Sequence, residues 1–346
     1  MENRKIKVLV VDDSILFRQT LIAHISAQPD FEVVGYAINA FDAKRKIPQL
    51  NPDVMTLDVE MPGMNGIEFV KQQMAERPLP VILVSSLNLS VFDALSAGAV
   101  NFVRKPDLSS SNSKEQFFAT LTAELRTASN AKVRVKKQMQ APAMSAALPA
   151  LSRRVLDSTI IAIGASTGGT EATLAVLEKL PANMPGIVIT QHMPEGFTAM
   201  YAERLNRICN IAVKEAKNGD IIRPGQALIA PGNMQMEVVR MQTGYAVKCH
   251  PGQKVSGHCP SVDVLFGSMA KNVTIHQVGI IMTGMGRDGA DGLLKMKEKG
   301  AYTIGQDKES CVVYGMPMVA YNIGAVTLQA SCDNISTVLM NHLKKL

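Results

Sequence analysis

Three carboxylates, a lysine and a pair of serines stand where short apolar runs end. Asp12 and Asp13 close the run Ile6–Val11, and Asp58 closes Asp53–Leu57. Ser85 and Ser86 follow Val81–Val84, and Lys105, with Pro106 after it, follows Asn101–Val103. If these runs are strands of one parallel sheet, all six residues face one edge, the edge at which open α/β sheets bind ligands. Carboxylates gathered there repel one another unless a hard cation neutralises them, and Mg²⁺, which takes oxygen ligands and keeps waters, suits the set Asp12, Asp13 and Asp58. Asp58 would then be the nucleophile toward a phosphoryl donor. Lys105 would pair with the transferred group, and a serine hydroxyl would sense it. Asp12-Asp13 alone reads only as the cap of the next helix; the full set, in this order, is far more specific.

A second set lies in the C-terminal half. Ile160-Ile161-Ala162-Ile163-Gly164-Ala165-Ser166-Thr167-Gly168-Gly169 is a buried strand, a tight glycine turn and a helix start. Gly164 to Gly168 fits the letters Gly-x-Ser-x-Gly, and the turn would lift Ser166 above the sheet edge into an exposed position at a helix N-terminus that favours negative charge. On this segment alone, a nucleophilic serine and a phosphate-cradling loop are equally good readings. His192 ends the next strand. Asp288, in Gly284-Met285-Gly286-Arg287-Asp288-Gly289, reads by itself as the N-cap of a helix from Ala290. Together the three offer nucleophile, base and orienting carboxylate, in the chain order Ser, His, Asp, which differs from the usual α/β-hydrolase order. A rival stands beside this reading. Residues 284–289 also satisfy Gly-x-Gly-x-x-Gly between a strand and a helix, with Asp307 near the place of a ribose-binding acid. Against it, Asp288 would put a carboxylate in a pyrophosphate loop, and only 57 residues follow Gly289, too few for the rest of a two-half dinucleotide fold.

The elements that must position these residues alternate. Strand-like and helix-like runs succeed each other over residues 5–125, and again from Thr159 with a hairpin at Met236–Arg240 and Ala246–His250. The expected fold class is α/β: an N-terminal doubly wound parallel-sheet domain, and a C-terminal α/β parallel-sheet domain carrying an antiparallel hairpin. The boundaries expected are 4–125, a basic linker over 126–157, and 158–346; Gln138–Pro149, rich in Ala, Pro, Met and Ser, has no sustained period. With 346 residues, 47% of them hydrophobic, two cores can be buried. The net charge of +6 resides in the linker, because the flanking parts carry −3 and +3 and the linker +6. The domains therefore present no broad nucleic-acid footprint. No apolar run is long enough to span a bilayer, and the N-terminus does not read as a signal peptide, which points to a cytoplasmic protein. The five cysteines (Cys209, Cys249, Cys259, Cys311, Cys332) are expected as thiols. Cys249-His250 and His258-Cys259 carry zinc-ligand types, but neighbours in a strand point to opposite faces, so neither pair chelates easily.

Residues 4–125 resemble the response-regulator receiver domains, in Val-Val-Asp-Asp-Ser (10–14), Leu-Asp-Val-Glu-Met-Pro-Gly-Met-Asn-Gly (57–66) and Arg-Lys-Pro (104–106). That resemblance implies phosphorylation of Asp58 by a histidine kinase, with Ser85, better than Ser86, as the switch hydroxyl. Nearly the full length is similar to the chemotaxis protein-glutamate methylesterases, the CheB family. The shared motifs are Gly-Ala-Ser-Thr-Gly-Gly (164–169), Gln-His-Met-Pro (191–194), Ala-Pro-Gly (230–232), His-Cys-Pro-Ser-Val-Asp (258–263) and Met-Thr-Gly-Met-Gly-x-Asp-Gly (282–289). It implies Ser166 as nucleophile, His192 as base, Asp288 as its partner, the Met285 N–H as an oxyanion donor, and Thr167 and His258 lining the site. It further implies hydrolysis of glutamate methyl esters on chemoreceptors, deamidation of receptor glutamines, Mg²⁺ in the receiver and no cofactor for the esterase, and a receiver that occludes the catalytic edge until phosphorylated. The alternatives are a response regulator whose second domain binds a dinucleotide or other ligand, and one that binds DNA, which would need a helix-turn-helix after the receiver.

Overall fold

The computed structural model describes residues 4–61, 66–86, 90–106, 111–133 and 151–346. The chain divides into two compact units, residues 1–141 and 142–346. The stretch Gln138–Pro149 read as linker lies outside the described residues.

The first unit alternates β1 (Ile6–Val11), α1 (Ile15–Ser26), β2 (Phe31–Ala37), α2 (Ala40–Leu50), β3 (Val54–Asp58), α3 (Gly66–Glu76), β4 (Val81–Ser85), α4 (Ser90–Ser96), β5 (Asn101–Arg104) and α5 (Ser111–Ser129). The strands pair in parallel in the order β2-β1-β3-β4-β5. Strands covered by helices on both faces must be apolar throughout, and Val8–Val11 and Val81–Val84 are almost fully buried.

The second unit runs α6 (Arg153–Asp157), β6 (Thr159–Ala165), α7 (Gly169–Leu177), β7 (Gly186–Gln191), α8 (Phe197–Ile208), β8 (Ala212–Glu215), β9 (Gln226–Ile229), β10 (Gln235–Arg240), β11 (Tyr245–His250), α9 (Val262–Asn272), β12 (His276–Ile281), α10 (Ala290–Glu298), β13 (Tyr302–Gln306), α11 (Met316–Asn322), β14 (Leu328–Ala330) and α12 (Cys332–Leu343). Seven strands form one parallel sheet, β14-β13-β12-β6-β7-β9-β8, with β6 in the middle. β10 and β11 form the expected antiparallel hairpin.

The α/β class holds in both units, and several details depart from the sequence expectation, among them the unforeseen α11. β8, β9 and β14, each of only three or four residues, extend the parallel sheet where no strands were expected. Residues 153–157, assigned to the linker, form a helix whose Ser152 side chain accepts from the Val155 N–H, with Leu151 and Val155 buried. Local pattern suggests a closing helix only over Val338–Leu346, whereas the last helix begins at Cys332. α9 lies under the hairpin and shares a buried cluster with β6, β10 and α10, including Met236, Val238, Phe266, Leu293 and Met296. Burying a ring such as Phe266 contributes about 1.5–3 kcal/mol. α9 is seated by close contact: a Cβ on Gly164 at the end of β6 would lie 2.1 Å from Val262 Cγ1. No helix among the described residues is long and apolar enough to cross a membrane.

Candidate active site

Ser166 follows the central strand β6 in the turn before α7. Its backbone is tied on both sides. Its N–H donates to Thr283 O (3.0 Å), and its carbonyl accepts from Gly169 N (2.7 Å) and Gln191 Nε2 (2.9 Å). Gly168, the N-cap of α7, has φ +76°, which a residue with a Cβ adopts at a cost. The turn is not exposed as the sequence suggested: Ser166 is only 8% exposed, because the 283–289 loop packs over it. A Cβ on Gly284 would stand 2.6 Å from Ser166 Cβ, so only glycine lets that loop approach.

His192 follows β7, the neighbour of β6, and its N–H bonds Ala165 O at 3.1 Å. Its Nδ1 lies 3.0 Å from Ser166 Oγ, and its Nε2 lies 2.7 Å from Asp288 Oδ2. A neutral imidazole donating from Nε2 to the carboxylate keeps its lone pair on Nδ1, facing the serine hydroxyl. That tautomer is what a general base requires.

Asp288 follows β12, on the other side of β6, and is 1% exposed. It does not cap α10, as its position in sequence suggested. The N-cap of α10 is Gly289, at φ +90° without a side-chain bond. Asp288 instead sits at the N-terminus of α9, accepting from Ser261 Oγ (2.8 Å), Val262 N (2.8 Å) and Asp263 N (3.1 Å). Burial raises its pKa, but the hydrogen bond and charge of His192, with the donors of Val262 and Ser261, outweigh burial and hold the carboxyl below the ordinary carboxylate value. Asp263, in the first turn of α9, reciprocates by accepting from Gly292 N of α10 at 2.7 Å. Burial, and after it the Asp288 charge, push Asp263 upward, against the donors of Gly292 and Gly289.

His258 stacks on His192, with centroids 3.6 Å apart and planes 8° from parallel. Burial and the neighbouring imidazole push it down to about 4, so it is a neutral wall at neutral pH. Thr167 is buried, and its carbonyl accepts from Thr283 Oγ1 at 2.9 Å. The peptide between Gly284 and Met285 is fixed from one side, because Gly284 O accepts from Gly315 N (3.1 Å) and Met316 N (2.8 Å). In a planar trans peptide the Met285 N–H points the opposite way. The Met285 side chain is half exposed.

In the first unit, one carboxylate oxygen each from Asp12, Asp13 and Asp58 lies within 4.8 Å of the others. Lys105 Nζ is 2.6 Å from Asp58 Oδ2 and 3.6 Å from Asp12 Oδ2. Burial raises the Asp12 carboxyl above its ordinary value despite Lys105. Burial acts to lower the Lys105 ammonium, but Asp58 and Asp12 prevail and raise it. Ser85 is fully buried at the end of β4 with no hydrogen-bond partner for its Oγ, whereas Ser86 is exposed.

A family model described as CheB methylesterase matches residues 161–339, and one described as response regulator receiver domain matches residues 8–111. The chain belongs to the CheB methylesterase family. A Syntrophomonas wolfei protein named protein-glutamate methylesterase/protein-glutamine glutaminase 2 is 51% identical over 346 residues, 100% of both chains. A Salmonella typhimurium protein named protein-glutamate methylesterase/protein-glutamine glutaminase is 46% identical over 340 residues, 97% of this chain and 96% of its own. The crystal structure of the Thermotoga maritima CheB methylesterase catalytic domain aligns at TM-score 0.52 and 34% identity, covering 53% of this chain and 97% of that one.

The rival dinucleotide reading finds no support in this CheB-type architecture. Asp307 is spent on its own turn, accepting from Ser310 N (2.9 Å) and Ser310 Oγ (2.7 Å). The pairs of zinc-ligand type are separated. His250 bonds Glu237 at 2.8 Å and His258 stacks on His192. None of the five cysteines is in a disulfide. Among the described residues, Asp12, Asp13 and Asp58 form the only group of three or more such side chains placed to share a metal ion. The sequence reading missed Ser261 and Asp263. Both stand in the segment 258–263 already singled out, and the signal was the serine N-cap followed by an acidic residue in the first turn.

The stack makes a measurable claim. A histidine held neutral in the folded state, with its pKa below the usual 6.5, binds its proton more readily when unfolded. Its contribution to stability is therefore present above pH 6.5 and lost as the pH falls toward about 4. His258→Phe keeps the stack and removes the titration. The drop in the catalytic unit's melting temperature between pH 6.5 and 4.5 should become shallower by roughly 2–4 °C, equivalent to about 1 kcal/mol in a unit of this size. An unchanged slope would show that His258 is not held neutral by the stack.

Proposed function

We propose that this chain is a phosphorylation-regulated serine hydrolase that removes methyl esters from glutamate residues of methyl-accepting chemoreceptors and deamidates receptor glutamines. The single observation that carries this reading is the relay from Ser166 Oγ through His192 to Asp288, with 3.0 Å and 2.7 Å links. The names of the full-length relatives supply the substrate class.

In the reaction, Ser166 Oγ attacks the ester carbonyl and its proton passes to His192 Nδ1. Asp288 stabilises the imidazolium from Nε2. The developing oxyanion takes the Met285 N–H and the positive end of α7, where preorganised dipoles contribute most. Collapse expels methoxide, which leaves as methanol with the proton from His192. Water, deprotonated by His192, then releases the glutamate and restores Ser166. With a glutamine substrate ammonia leaves in place of methanol through the same tetrahedral centre. His258 and Thr167 line the site, and no cofactor enters these steps.

In the receiver unit, Asp58 is the phosphate acceptor and a chemotaxis histidine kinase the donor. Asp12, Asp13 and Asp58 suit Mg²⁺. All their donors are oxygens, and Asp12 Oδ2 is buried without a hydrogen-bond partner. The ion, when bound, neutralises charge at the transfer site. Lys105 pairs with the phosphoryl group, and the buried unpartnered hydroxyl favours Ser85 over Ser86 as the sensor. The chain works in the cytoplasm, without nucleic acid and without membrane insertion.

Ser166→Ala and His192→Ala should each reduce methanol release from methylated receptor by roughly three orders of magnitude or more, and the double variant should be little worse, because the members act as one unit. Wild-type turnover by Ser166→Ala would remove the triad. Asp58→Asn should abolish acid-labile labelling by a phosphodonor in the presence of Mg²⁺. Labelling that persists in this variant would exclude Asp58 as acceptor. A chain beginning near Arg153 should be faster than the unphosphorylated full chain and indifferent to phosphodonor. Equal rates would replace occlusion with activation or recruitment.

A further inference from the structure

The hairpin β10–β11 adds no strand to the parallel sheet, yet its first residue reaches the catalytic machinery. Gln235 is only 3% exposed and uses its whole amide. Its Nε2 donates to Gln253 O (2.9 Å) and His258 O (3.3 Å), and its Oε1 accepts from Ser261 N (2.8 Å). These three partners belong to one loop, residues 251–261. Its tip is a tight turn in which Val255 and His258 exchange backbone hydrogen bonds of 3.0 and 2.9 Å, with Ser256 at φ 51° and Gly257 at φ 86°. Gly252 passes so close to the Gln235 stem that a Cβ there would lie 2.8 Å from its Cγ.

That loop carries both residues that bear on the triad from this side. His258 lies flat on the catalytic imidazole, and Ser261 donates to the outer oxygen of Asp288. A continuous line of contacts thus runs from Gln235 to Ser261 (2.8 Å), to Asp288 (2.8 Å), to His192 (2.7 Å) and to Ser166 (3.0 Å). The chemistry of the latch selects the residue type. Two carbonyls and one N–H must be met at once, and a primary amide supplies two donors and an acceptor. A carboxylate would meet the N–H but face two carbonyl oxygens with no proton to give.

We propose that Gln235 is a positioning residue for ester hydrolysis, latching the 251–261 loop so that His258 and Ser261 hold His192 and Asp288 in line with Ser166. This inference rests on the serine-hydrolase reading of the same site. Being outside the reacting atoms, Gln235 affects turnover more than ground-state binding, and the roughly 10- to 100-fold loss caused by removing outer partners of metal ligands sets the scale of its effect.

The test uses the full-length chain. Wild type, Gln235→Glu, Gln235→Met, Ser261→Ala and the Gln235→Met/Ser261→Ala double variant are compared at a temperature where circular dichroism shows them folded. The readouts are kcat and KM for methylated receptor, and the rate of Ser166 labelling by a serine-directed fluorophosphonate. The expected result is a fall in kcat of roughly 10- to 100-fold in both Gln235 variants with KM changed less than about threefold, a parallel fall in labelling, and a double variant no worse than its worse parent. Amide exchange should quicken over the 251–261 loop and stay unchanged in β6 and β7. If wild-type Ser166 is not labelled, the hydrolase reading fails. If wild type is labelled and both Gln235 variants react at its rate, the latch is overturned. Loss of the folded state in both Gln235 variants, or a lowered melting temperature with wild-type kcat, assigns Gln235 to stability alone and equally overturns the positioning role.

Discussion

A carboxylate removed from water must recover its hydrogen bonds within the protein or take up a proton. Asp288 recovers them at a helix end. The first N–H groups of any α-helix lack internal partners and carry partial positive charge. The N-terminus of α9 directs two of these, with the Ser261 hydroxyl, at Asp288. The remaining direction goes to His192. The carboxylate thus stays ionised while almost fully buried, and the imidazole is held in the tautomer that leaves Nδ1 free for Ser166. The seating of α9 therefore fixes the carboxylate that His192 faces. Val262, its first residue, wedges between Gly164 at the end of β6 and Gly289 before α10, and a Cβ at either glycine would lie 2.1 or 2.4 Å from its Cγ1.

Both units place their chemistry at the same topological feature. In the receiver sheet the chain moves from β1 outward to β2, then crosses to β3, leaving Asp12 and Asp13 on one side of the reversal and Asp58 on the other. In the catalytic sheet it moves from β6 to β7, and later returns to β12 on the opposite side of β6. This leaves Ser166 and Asp288 astride the reversal and His192 one strand away. A crevice opens at such points because successive connections depart to opposite sides. What differs is the charge placed there. The receiver edge gathers three carboxylates against one lysine, which suits a cation and a phosphoryl group. The catalytic edge offers a helix N-terminus and a neutral base, which suits a developing oxyanion.

The parts of this design that depend on local pattern were legible in the sequence. The apolar strands, the glycine turn around Ser166 and the polar residues at strand ends follow from period, glycine placement and parallel topology. The parts that depend on which element packs on which were not. Asp288 looks like the cap of α10 because it stands two residues before it, and nothing local shows that α9 is the helix it caps. Gln235 is a polar residue at the start of a hairpin strand, without a motif, and its role exists only once the 251–261 loop folds back onto it. β8 and β9, at four residues each, are recognisable as strands only through the register they take, β9 against β7 and β8 against β9.

The exchange of caps between α9 and α10 also explains how a buried carboxylate, Asp288, and a half-buried one, Asp263, can stand side by side. Each accepts from the start of the other's helix, Asp288 from Val262 and Asp263, and Asp263 from Gly292. Like charges this near cannot both ionise freely, so their environments must separate them. Asp288 has His192 and the Ser261 hydroxyl in addition to backbone donors, and its carboxyl is held down. Asp263 has no imidazole donor comparable to His192 and is pushed up. Proton uptake, when it comes, therefore falls first on Asp263. A protonated Asp263 still offers an acceptor oxygen to the Gly292 N–H, so α10 keeps its cap while the repulsion on Asp288 disappears. Proton uptake by Asp263 thus favours, rather than opposes, an ionised Asp288.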